Sequence, residues 1–104
     1  MLRRGSKISD IEHDIYELAV QAGKCLAQRG WMLVTAESCT GGWVGQAVTA
    51  VSGSSAWYER GYITYSNTSK SEMLGVQQAT LDRHGAVSPQ TAQEMAIGAL
   101  NRSH

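Results

Sequence analysis

Between Thr35 and Gly45 the sequence reads TAESCTGGWVG, which sets hydroxyls at Thr35, Ser38 and Thr40, a thiol at Cys39 and a carboxylate at Glu37 beside several glycines. A strand that feeds a glycine-rich turn and then a helix presents backbone N–H groups at a positive helix end. Such a corner can receive an anion or a developing oxyanion, with Ser38 held out as a nucleophile. The residues Glu-Ser-Cys-Thr-Gly-Gly do not match the Gly-x-Ser-x-Gly elbow. No Gly-Lys-Ser or Gly-Lys-Thr follows, which excludes a P-loop nucleotide triphosphatase.

A serine hydroxyl needs a base, and the candidates are Lys70, Glu37, His84 and Tyr65. Lys70 follows the second apolar strand pattern in Tyr65-Ser66-Asn67-Thr68-Ser69-Lys70, so adjacent parallel strands would bring it alongside Ser38. A Ser-Lys pair operates when burial favours the neutral amine, which can then accept the serine proton. By spacing alone Lys70 reads more readily as a solvated surface lysine than as a catalytic one. His84, in Asp82-Arg83-His84-Gly85, has the place of a cation at a helix C-terminus. Cys39 offers a rival nucleophile or a small buried thiol, and Trp43 and Trp57 suit a core or an interface.

The elements that must position these groups follow from periodicity. Ser9 and Glu12 have capping-box spacing, and Ile11, Ile15, Leu18, Ala19, Ala22 and Leu26 recur on one helical face over about Asp10 to Arg29, with Gly30 as the C′ residue. Trp31 to Ala36 is a buried-strand pattern that delivers Glu37 and Ser38 to the sheet edge. A second helix is expected over Gly42 to Val51, a short helical turn over Ser55 to Arg60, and a second strand at Tyr62 to Tyr65. Strand, helix, strand in that order implies a parallel pair. Asn67 is expected to cap a helix through Leu74, Thr80 one through His84, and Ser88-Pro89 a last one ending near Arg102.

The chain has 104 residues, 42% of them apolar, and no net formal charge. One α/β domain over 9–104 is expected, with 1–8 as a flexible tail. Nothing in this composition points to nucleic acid or a membrane surface as a partner. No apolar run approaches the roughly 20 residues of a membrane span, and no signal-peptide core is present, so a cytoplasmic location is expected. Cys25 and Cys39 form no paired motif and are expected to be free thiols, with no metal site. Only two strand patterns occur, whereas stable sheets usually have roughly 4–6 strands. The expectation is that further strands come from another segment or from a second copy, as a homo-oligomer.

Several segments together resemble the CinA C-terminal domain family, of the PncC type. They are Thr35 to Gly42, Gly53-Ser54-Ser55, Gly61 to Asn67 with Lys70, Leu74-Gly75-Val76 and Gly85-Ala86-Val87-Ser88, and the likeness spans about Ile11 to Leu100. The resemblance implies a three-layer α/β/α sandwich with a parallel or mixed sheet. It implies hydrolysis of nicotinamide mononucleotide to nicotinic acid mononucleotide and ammonia, with no cofactor and no metal. Ser38 would be the nucleophile, Lys70 the base, and Tyr65 a proton-transfer or positioning group. The backbone N–H groups of Cys39, Thr40, Gly41 and Gly42 would hold the oxyanion, while Thr40 and Asn67 would orient the substrate or its loops. Members of the family continue past the last helix into further strands and a Gly-Ile-Ala-Gly-Pro type segment. This chain lacks that segment, so the sheet and pocket are expected to be incomplete in it. An inactive module that binds a nucleotide phosphate or self-assembles is the alternative.

Overall fold

The computed structural model describes residues 8–104; the sequence-read tail therefore falls almost wholly outside the described residues. The element order is α1 (Ile8–Arg29), β1 (Leu33–Glu37), α2 (Trp43–Thr49), a 3₁₀ turn (Ser54–Ala56), β2 (Tyr58–Ile63), α3 (Asn67–Leu74), α4 (Gln78–His84) and α5 (Pro89–Asn101). The chain is thus of the α/β class, with β1 and β2 forming a parallel two-stranded sheet. It divides into two compact units. One takes the residues up to Leu33 with Gln46–Glu59, and the other takes Val34–Gly45 with Arg60–His104.

In the first unit α1 already runs at Ile8, so Ser9 lies inside the helix rather than capping it. Its far end follows the expectation. Gly30 adopts φ 67°, its N–H donates to the Ala27 carbonyl at 3.1 Å, and the Trp31 N–H reaches the Leu26 carbonyl at 3.0 Å. These two bonds are those of a Schellman motif, which satisfies carbonyls that the last turn leaves open. Trp57 is buried, and a Cβ at Gly23 would collide with its indole, so glycine is what lets the ring lie against α1.

The second unit holds the core, built from Leu74, Val76, Leu81, Met95 and Ala99, with Val34, Ala36, Tyr62 and Ala86 packed on it. Close approach of α3 and α5 is possible because Gly98 has no side chain; a Cβ there would overlap the Leu74 carbonyl. The strand end is fixed by Thr64, fully buried, whose N–H donates to the Glu37 carbonyl at 2.8 Å.

Other boundaries also differ from the sequence reading, and the helical turn expected over Ser55 to Arg60 is confined to Ser54–Ala56. β2 occupies Tyr58–Ile63 rather than Tyr62 to Tyr65, because pairing with β1 outweighs the β-branched and aromatic preference of the later residues. Ser66, not Asn67, caps α3: its hydroxyl accepts the Ser69 N–H at 3.0 Å while Ser69 Oγ accepts the Ser66 N–H at 3.1 Å. Gln77 precedes α4, and Thr80 lies within the helix. Ser88 caps α5 as expected, accepting the Thr91 N–H at 3.2 Å, with Pro89 in the first turn.

Candidate active site

All the geometry of the site lies in the second unit. Ser38 follows directly on β1, so the strand that carries Glu37 also sets this candidate residue at the strand end. The turn after it closes through the Gly41 N–H, which donates to the Ser38 carbonyl at 3.3 Å. Gly41 and Gly42 take φ values of 73° and 114°, where a side chain is strained, and a Cβ at Gly42 would meet Ile63 Cδ1 at 2.9 Å. Thr40 Oγ1 accepts the Trp43 N–H at 3.0 Å, which starts α2. Among the described residues the N–H groups of Cys39, Thr40 and Gly42 donate to no protein group. They remain open to a ligand, whereas that of Gly41 is spent within the turn.

Glu37 does not have the arrangement of a base. Only 8% exposed, it accepts the Val44 N–H on Oε1 at 2.6 Å and the Gly45 N–H on Oε2 at 2.9 Å, and the Thr35 hydroxyl lies 3.4 Å from Oε2.

Lys70 is 2% exposed, against the reading of a solvated lysine. Its position on α3 places it one turn before Leu74, and both side chains are buried. Nζ donates to the Tyr65 carbonyl at 3.2 Å. A cleft of about 430 Å³ is lined by Ser38, Cys39 and Lys70 together with residues 86–89, Ala92 and Met95. The structure thus brings the two members of the sequence-read pair to one cavity.

Other candidates are placed differently. Tyr65 falls beyond the end of β2, and its side chain is 74% exposed; it serves Lys70 through its carbonyl. Thr40, Gly41, Gly42, Tyr65 and Asn67 do not line the cleft. Cys39 is exposed rather than buried, and both cysteines are free. His84 sits in the last turn of α4, the place its sequence context gave it. The sequence reading took Ser88-Pro89 only as a helix start. Structurally the segment is a cleft wall, held by Thr91 Oγ1 and Ser88 Oγ, which donate to the Gly85 carbonyl at 2.7 and 2.9 Å.

A model of the CinA C-terminal domain matches residues 15–104. The chain is similar to the "Nicotinamide-nucleotide amidohydrolase PncC" of Escherichia coli K12, with 53% identity over 89 residues that cover 86% of this chain and 54% of that protein. A "CinA-like protein" of Shewanella denitrificans is 44% identical, over 97% of this chain and 26% of that protein. Among solved structures, competence/damage inducible protein CihA of Agrobacterium tumefaciens superposes with a TM-score of 0.84 at 52% identity, over 88% of this chain and 55% of that one. A CinA superfamily protein of Escherichia coli gives 0.84 at 35% identity, over 93% of this chain and 56% of that one. The chain spans about half the length of the PncC proteins it matches. With a family model matched over most of its length, the chain belongs to the CinA C-terminal domain family.

Proposed function

We propose that this chain carries the nucleophile and base of an amidohydrolase that converts nicotinamide mononucleotide and water to nicotinic acid mononucleotide and ammonia. The observation that carries the reading is a buried lysine amine lining the same cleft as Ser38. The substrate comes from relatives named nicotinamide-nucleotide amidohydrolase.

In this mechanism Ser38 Oγ attacks the carboxamide carbon and passes its proton to Lys70 Nζ. The carbonyl oxygen becomes an oxyanion facing the open N–H groups of the Cys39 to Gly42 turn, each such donor being worth about 3–4 kcal/mol in well-studied acyl transfer. Collapse breaks the C–N bond, and Lys70 returns the proton to the departing nitrogen, which leaves as ammonia. Water then attacks the ester carbon, Lys70 accepts its proton, and Ser38 leaves reprotonated while the product departs as a carboxylate. Tyr65 positions Lys70 through its carbonyl, and Asn67, the first residue of α3, orients the neighbouring loop. The small-molecule nucleotide is the partner, in a cytoplasmic protein; among the described residues no helix is long and apolar enough to cross a membrane.

The test is rapid quenching of the chain with nicotinamide mononucleotide, followed by peptide mass spectrometry. An ester adduct on Ser38, absent in Ser38→Ala, is expected; turnover with no adduct in any quench interval would overturn the covalent step. A second reading concerns these 104 residues by themselves, which span about half the length of the PncC relatives. It is a homologue that binds the nucleotide phosphate, or assembles with itself, without hydrolysis. Measured binding with neither adduct nor ammonia would establish it.

A further inference from the structure

The buried carboxylate of Glu37 has no part in the proton transfers above, yet it occupies a position that is costly unless fully partnered. Its two oxygens divide the labour. Oε1 takes the Val44 N–H and Oε2 the Gly45 N–H, and the Thr35 hydroxyl approaches Oε2 from two residues back on the same face of β1. The donors belong to the first turn of α2, whose N–H groups lack partners within the helix. One side chain therefore ties the end of β1 to the start of α2, and the residues spanned by that tie are Ser38 to Trp43. At the same strand end the Glu37 carbonyl accepts the Thr64 N–H at 2.8 Å, so the backbone leading to Ser38 is anchored on its other side too.

From this geometry we infer that Glu37 is a positioning residue, a clamp that holds the Ser38 turn in register by saturating the first donors of α2. The inference rests on the proposed role of Ser38 and adds to it. By taking the Val44 and Gly45 N–H groups, the clamp leaves those of Cys39, Thr40 and Gly42 as the unbonded donors of the turn. Without it, Gly41 and Gly42, at φ 73° and 114°, are free to take other conformations, and the turn loses its fixed geometry. The carboxylate also has to be this long: an aspartate at the same place would stop one methylene short of the helix.

The test uses the full chain and the near-isosteric Glu37→Gln, which keeps the reach but replaces one acceptor oxygen by an amide nitrogen facing an N–H. The first readout is amide hydrogen exchange, resolved by residue. We expect exchange at Val44 and Gly45, and at Gly41 within the turn, to rise about tenfold or more while α5 amides stay as in the wild type. Unchanged exchange at Val44 and Gly45 of folded Glu37→Gln would overturn the clamp. The second readout is the rate at which a fluorophosphonate probe labels Ser38, measured well below the unfolding transition of each protein. A purely structural role would lower the transition but spare this rate; the clamp predicts a fall of about tenfold or more, and an equal rate in the two folded proteins would overturn it. Thr35→Val, which removes one hydroxyl at constant shape, serves if Glu37→Gln does not fold. Faster Gly45 exchange then supports the clamp, and no change opposes it. Failure of the wild type to label would sink the nucleophile, not the clamp, which the exchange data judge separately.

Discussion

At Gly42 the backbone conformation and the local space make the same demand. Its φ of 114° disfavours any side chain, and the Ile63 Cδ1 atom stands 2.9 Å from where a Cβ would lie. Gly42→Ala is expected to cost about 1–3 kcal/mol of stability, read as a lower midpoint of denaturant unfolding; an unchanged midpoint would show that the turn has another conformation. That glycines were needed here was legible in the sequence, since two in succession between a strand pattern and a helical pattern demand an unusual turn. The pairing of Ser38 with Lys70 in one cleft was legible in part, through the order strand, helix, strand. What sequence spacing could not give was the burial of Lys70, which depends on the packing of α3 and on the Tyr65 carbonyl arriving from outside the strand. Nor could it separate Glu37 as a base from Glu37 as an acceptor, because the deciding partners are backbone amides seven and eight residues away.

The starts of α2 and α4 are held by side chains brought from elsewhere, Glu37 and Glu94, and this is the scale at which sequence signals misled most. Thr80 has the composition of a cap but lies inside α4, where its hydroxyl bonds Glu94 of α5; the other Glu94 oxygen accepts the Gln77 N–H at 2.9 Å. These bonds stabilise the ionised form. The Gln77 N–H first and then the Thr80 hydroxyl hold the Glu94 carboxyl below the ordinary glutamate value; desolvation opposes them, and the charge of His84 adds the smallest lowering. A depressed carboxyl contributes stability that is present above its unfolded pKa and lost as the pH falls through the lowered folded value. Wild-type stability should therefore drop across that acidic window, and Glu94→Gln should flatten the drop; parallel pH profiles for the two proteins would contradict the assignment. Between α3 and α5 the contact itself limits the sequence. Gly98→Ala would gain about 1 kcal/mol of helix propensity, but its Cβ would overlap the Leu74 carbonyl, a backbone atom that cannot rotate away. Overpacking of that kind costs about 1–3 kcal/mol or more, so a net loss is expected in thermal or denaturant unfolding. A variant as stable as the wild type would mean that the helices can separate without penalty. Ser88, by contrast, was readable as a cap from Ser-Pro alone, because all its partners are local.

For the whole molecule, the α/β class was legible from the alternation of strand and helix patterns, and the family from several motifs in register. The division into two units was not, since it depends on which long-range contacts are dense and which are sparse. A parallel sheet of two strands is marginal by itself, and apolar side chains such as Val87, 89% exposed, stand open in the second unit. We therefore propose self-association, to be checked by sedimentation, with a mass above that of the single chain expected and a monomer with one cooperative unfolding transition as the contrary result. The central claim is that Ser38 and Lys70 hydrolyse an amide together, and the measurement that tests it most directly is initial ammonia release from nicotinamide mononucleotide by the wild-type chain, Ser38→Ala and Lys70→Met. The account predicts release by the wild type and a fall on the order of a hundredfold or more in both variants, whereas release that persists in Ser38→Ala, or that is missing from the wild type, would contradict it.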